Sequence, residues 1–300
     1  MFAIVFFVME TFYTPEEVAD QLKIHLQTVL SYIRDGKLKA VKLDKGYRVS
    51  DSDFQAFIHG SRVTKTPEDY LLKLGIQKKY KGFRKTFMKP VKELTKLIPN
   101  YELDKLLEDA SVRDHQGYRA FPLPGLSIMS EKQSREFDGL LLQKEIEFAG
   151  DLFFFAFAST KGELLTAESL WEDTESSQFK NSIGLLTSIG VMLRGLLFIP
   201  RYYSKIEGVR EVNYQFIIDK PFGRNLAMDT NRPVIWTGEY TATTEDPIII
   251  ERKISISITQ EEAKNLLFEM VKEFLWYFKC EIGDDIIKSR IEEIYKNVMG

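Results

Sequence analysis

Two carboxylates with a metal-binding look stand on either side of a short apolar run: Asp138 in Glu136-Phe137-Asp138-Gly139, and Glu145 in Glu145-Ile146-Glu147. An acid just before a strand and another further along it can share a Mg²⁺ ion, because hard cations take oxygen ligands, and a metal so held activates water. Asp138 and Glu145 are therefore the candidate metal ligands. The same chemistry calls for a lysine two residues after the strand acid, and this chain has Glu147 there. The competing reading is of ordinary charges on the face of a hairpin. A second set is basic: Lys78, Lys79, Lys81 and Lys85 interleave with Tyr80 and Phe83. Ammonium groups neutralise phosphates and aromatic rings stack on bases. Three readings stand for this run: a nucleic-acid patch, part of a dimerising helix, and a solvated linker face.

Other chemistries lack material. There is no phosphate-binding glycine loop, no nucleophile elbow and no zinc-spaced histidine pair. The three histidines, His25, His59 and His115, are far apart, and the single Cys280 allows neither an intramolecular disulfide nor a cysteine zinc cluster. No catalytic residue and no cofactor is assigned, and the cysteine usage fits a reducing cytoplasm.

The clearest local signals lie at the N-terminus. Thr14 is a good N-cap, Pro15 suits the first helical position, and Glu17 completes a capping box. Val18, Ala19 and Leu22 give that helix its apolar stripe. A second helix starts near Leu26 or Gln27, buries Val29 and Ile33, and stops at Asp35-Gly36. A strand over 38–43, a turn at Asp44-Lys45-Gly46 and a return strand over 47–49 follow, and Ser50 or Asp51 caps a last short helix through Phe54 and Phe57.

Residues 13–58 resemble the excisionase-type, MerR-like winged helix-turn-helix domain. The residues that carry the likeness are Glu17-Val18-Ala19, Thr28-Val29, Ile33-Arg34, Gly36, Leu38, Ala40-Val41, Tyr47-Arg48-Val49, Asp53-Phe54 and Ala56-Phe57. The resemblance implies that the second helix enters a DNA major groove and the hairpin wing touches phosphates. It puts Gln27, Thr28 and Ser31 at base edges or phosphates, Arg34, Lys42, Lys45 and Arg48 on the backbone, and Thr14 among the DNA-facing residues. The chain departs from the family in its second helix, which opens His25-Leu26-Gln27 where relatives often carry basic residues. Residues 1–59 hold seven Lys/Arg against eight Asp/Glu, so a monomer is expected to bind DNA weakly and a homodimer better.

The remaining 240 residues carry no motif of that strength. The net charge of −3 hides segregation: residues 60–100 hold eleven Lys/Arg against three Asp/Glu, and 101–180 hold eight against sixteen. A helix after Thr66-Pro67 ends at Gly75; Val91, Leu94, Leu97 and Ile98 sit at helical spacing, and Leu103, Leu106 and Leu107 continue on another helix. Strands are expected over 140–148, 152–158, 211–218, 233–240 and 248–258, with helices over 183–199, after Thr259, and over 284–298. The apolar 183–199 run contains Arg194 and three glycines and reads as a buried helix, not a membrane span. Residues 1–8, MFAIVFFV, are read as a mis-called start ahead of Met9, the alternative being a short strand against the wing or body.

The expected fold is multidomain: a winged helix-turn-helix domain over 10–60, a helical basic connector over 61–118, and an α+β domain with a mainly antiparallel sheet over 119–300. Double-stranded DNA is the expected partner, with a homodimer and a small-molecule or protein effector beside it, and no membrane. Three roles stay open: a transcriptional regulator, a mobile-element excisionase or replication-type architectural factor, and a metal-dependent nuclease, since Asp138 and Glu145 are faintly similar to the restriction-endonuclease-like core.

Overall fold

A computed structural model describes residues 11–43, 46–61, 65–124, 131–136, 138–146, 152–175, 177–229 and 240–299. The chain divides into two compact units, 1–64 and 65–300. The expectations for residues 1–8 and for much of the strand over 233–240 lie outside the described residues, as does Lys45.

The first unit follows its local signals closely. Strand β1 (Phe12–Tyr13) leads into α1 (Pro15–Leu22), where Thr14 and Glu17 form the reciprocal capping box. Lys23 takes the left-handed conformation and ends α1, and α2 (Leu26–Arg34) begins three residues later. Gly36 has φ 68°, which a side chain would disfavour, and turns the chain toward β2 (Val41–Leu43). Strand β3 (Gly46–Ser50) pairs antiparallel with β2 and with β1, and α3 (Asp51–Ser61) closes the unit. Ser50 Oγ accepts from Asp53 N at 3.1 Å and so starts α3. Val18, Val29, Ile33, Leu38, Val49 and Phe54 form the core.

Among the described residues, the second unit is built on a seven-stranded antiparallel sheet. Its members are β4 (Phe83–Pro90), β7 (Glu131–Glu136), β8 (Gly139–Ile146), β9 (Leu152–Ser159), β10 (Leu164–Ser169), β12 (Glu211–Ile218) and β14 (Ile248–Ser255). The order is β14-β12-β4-β10-β9-β8-β7. Helices α5 (Leu103–Ala110), α6 (Leu185–Tyr203), α7 (Gln260–Trp276) and α8 (Asp284–Met299) share the larger core with one sheet face. The other face packs Phe83, Phe153, Phe155 and Phe157 against Tyr70 and Leu71 of α4 (Pro67–Lys73). Small pairs complete the unit: β5 (Val112–Arg113) with β6 (Arg119–Phe121), and β11 (Ser182–Gly184) parallel to β13 (Asn225–Ala227).

Three expectations are corrected. The helical connector over 61–118 does not form, because Phe83–Pro90 is a strand in the middle of the sheet, paired with both β10 and β12. The second unit accordingly starts at Lys65, not at 119. The helical spacing of Val91, Leu94, Leu97 and Ile98 also makes no helix: Pro90 and Pro99 bracket an irregular stretch, with Leu97 exposed and Ile98 N donating to Thr160 O.

Helix α6 is long and apolar enough to cross a membrane, yet 72% of its apolar window is buried inside this unit. Its glycines have a packing reason at Gly195, where an added Cβ would lie 2.7 Å from the Tyr214 ring. Close approach to β12 offsets the roughly 1 kcal/mol that glycine costs a helix.

Candidate nucleic-acid interface

Helix α2 presents two unlike faces. Val29 and Ile33 are buried and Leu26 packs beside them, which fixes the rotation of the helix on its unit. Gln27, Ser31 and Arg34, spaced four and three residues apart, then share one face. Gln27 and Arg34 are exposed; Thr28 and Ser31 are half-buried. An amide and hydroxyls can read base edges, and a guanidinium can clamp a phosphate. Ser31 Oγ donates to Asp35 Oδ2 at 3.2 Å and Arg34 Nε to Leu30 O at 3.2 Å, which steadies both side chains and leaves the Arg34 Nη groups available. Among the described residues no carboxylate pairs with Arg34.

The hairpin adds two of its expected cations. Lys42 is exposed on β2, opposite Tyr47. Arg48 lies opposite Val41, and its Nη1 donates to Tyr47 O at 2.9 Å. Sequence reasoning missed that Val41 and Leu43, each 53% exposed, alternate along this edge strand. Their signal was the two-residue period within Val41-Lys42-Leu43. Thr14 is engaged by its own helix. Its Oγ1 accepts from Glu17 N at 3.2 Å and its N–H donates to Glu17 Oε2 at 2.7 Å.

The basic run over 78–85 falls apart in space. Lys78 and Lys81 are exposed. Lys79 pairs with Glu145, whose carboxylate also accepts from Tyr80 Oη at 2.9 Å. The Lys79–Glu145 hydrogen bond holds the Lys79 ammonium well above its ordinary range, and Lys79 together with Tyr80 pulls the Glu145 carboxyl down. Lys85, only 13% exposed, lies between Glu68 at 3.5 Å and Asp219 at 3.8 Å. Its ammonium is thus engaged by carboxylates of its own unit. Arg84, on the opposite sheet face, is fully buried against Glu168 and Glu172.

The candidate metal ligands separate in the same way. Asp138 accepts from Tyr70 Oη, while Glu145 is taken by Lys79 and Tyr80. No group of three or more metal-ligating side chains is found among the described residues.

Residues 12–62 match the model of a helix-turn-helix domain family. The N-terminal unit is a helix-turn-helix DNA-binding domain. No curated protein and no solved structure matches the chain. Within the helix-turn-helix domain, α1 and α2 are the paired helices, and the Gln27, Ser31 and Arg34 stripe is the solvent face of the second.

Proposed function

We propose that this protein is a sequence-specific transcriptional regulator: α2 reads the major groove, the β2–β3 hairpin acts as a wing on the backbone, and the second unit senses a ligand, dimerises or recruits a partner. The observation that carries the reading is the two-faced α2, a polar stripe of Gln27, Ser31 and Arg34 backed by buried Val29 and Ile33, in a domain of helix-turn-helix type. Gln27 and Thr28 take base contacts; Arg34, Lys42 and Arg48 take phosphates.

The test is site selection from random duplexes followed by binding titrations of full-length protein. Replacing Gln27 and Thr28 together by alanine is expected to lower affinity for the selected site by about 1–3 kcal/mol per lost base contact while leaving random-sequence binding nearly unchanged. Equal binding of the selected site by wild type and variant refutes the recognition-helix assignment. Replacing Arg34 or Lys42 should weaken all sequences alike and reduce the slope of log K against log salt by roughly 0.9 for each phosphate lost.

A further inference from the structure

A groove of about 840 Å³ in the second unit opens where α7 turns into α8. Its volume falls in the range of small-molecule sites, which are mostly apolar with a few convergent polar groups. Leu275 and Ile287 supply buried apolar floor. Trp276 stands on the rim 74% exposed, its ring edge-on to Tyr277 at 5.4 Å between centroids. A large indole left so open beside a groove offers a ready stacking surface.

The charges on the rim narrow the ligand. Lys272 is neutralised by Asp284 at 3.3 Å. Lys279 is exposed, and no carboxylate pairs with it among the described residues. It also holds a left-handed conformation, φ 52°, at the position after the helix where glycine is usual. The turn is closed by Cys280 N donating to Leu275 O at 3.1 Å, so the lysine backbone is fixed at the groove. Glu281 gives the rim one acceptor. Cys280 contributes only bulk, since burial pushes its thiol up to about 11 and keeps it protonated.

We infer that this groove binds a planar aromatic acid, its ring stacked on Trp276 and its anionic group held by the Lys279 ammonium. The inference rests on the sensing role given above to the second unit and names the ligand class for it. Binding is therefore measured on full-length protein without DNA, so that a failure here leaves the recognition-helix test intact.

Calorimetric titration with salicylate and with indole-3-acetate, set against benzamidine as an aromatic cation, decides it. Saturable binding of at least one acid is expected, abolished in Trp276→Ala and weakened about tenfold or more in Lys279→Ala, as for a charge-assisted hydrogen bond. Both side chains are exposed, and circular dichroism of each variant confirms that the fold is kept. No saturable binding of either acid, equal binding of benzamidine, or binding unchanged in Trp276→Ala overturns the proposal.

Discussion

Arg84 shows how little the neighbours of a residue in the chain say about its surroundings. It sits in a basic run, yet its guanidinium is buried, with Glu168 at 2.7 Å, Glu172 at 2.8 Å and Ser188 at 3.2 Å. Burial works against its charge, and the two carboxylates outweigh that and hold it protonated. Removing one partner of such a pair strands the other in a dry interior. Arg84→Ala is therefore expected to cost the second unit about 3–5 kcal/mol in urea unfolding; a loss under about 1 kcal/mol would mean that Glu168 and Glu172 are not truly desolvated. Thr14 is the opposite case, a residue found correctly as a cap and also counted among the DNA-facing set. Its hydroxyl and N–H are both committed to Glu17. Thr14→Ala should lose about 1 kcal/mol of stability in the helix-turn-helix domain, with an unchanged salt slope for DNA. The lysines of 78–85 form one patch only along the sequence. Once Phe83 starts a strand, alternate side chains go to opposite faces, and Arg84 and Lys85 part company.

At the scale of elements, what was legible was local. Thr14, Thr66 and Thr259 mark the starts of α1, α4 and α7 in the sequence, and the structure closes a capping box at each. The period of two in β14 and the apolar stripe of α7 were equally readable. Strand β4 was not, because its partners lie far away in sequence: Phe87 pairs with Leu165 on one side and Gln215 on the other. Such pairing leaves no nearby signal, and the lysines in the strand disguised it as a connector. The site was legible to the same degree. Residues on one helix, Gln27 to Arg34, could be grouped by spacing, whereas the Lys79–Glu145 pair needed the fold. The caps also carry a pH signature. Backbone and side-chain hydrogen bonds from Thr259 hold the Glu262 carboxyl below the usual carboxylate range. A depressed folded pKa contributes stability that is present above the unfolded value and lost as pH falls through the folded one. Glu262 should therefore titrate, by carboxyl-carbon NMR, below the roughly 4.3 of a free glutamate, and return toward it in Thr259→Ala. Titration at the free value in the wild type would mean that the capping box does not persist in solution.

At the scale of the whole molecule, three apolar clusters fall into two units: one in the first, and one on each sheet face of the second. Val18, Val29, Ile33 and Phe54 pack among themselves in the first unit, while Phe216 stacks edge-on against Phe274 at 5.9 Å inside the second. Apolar burial acts over contact distance, so each core should stabilise its own unit and not the other. Full-length protein is expected to unfold in two calorimetric transitions. Val29→Ala removes two buried methyl-sized groups and should lower one of them by about 2 kcal/mol, together with DNA affinity, because the same residue fixes the rotation of α2. Phe216→Ala should lower the other transition by about 3–5 kcal/mol and leave the DNA-binding face folded. A single transition that moves with both substitutions would show that the two units fold as one, and an effect of Phe216→Ala on DNA binding below its own transition would show that the body takes part in docking.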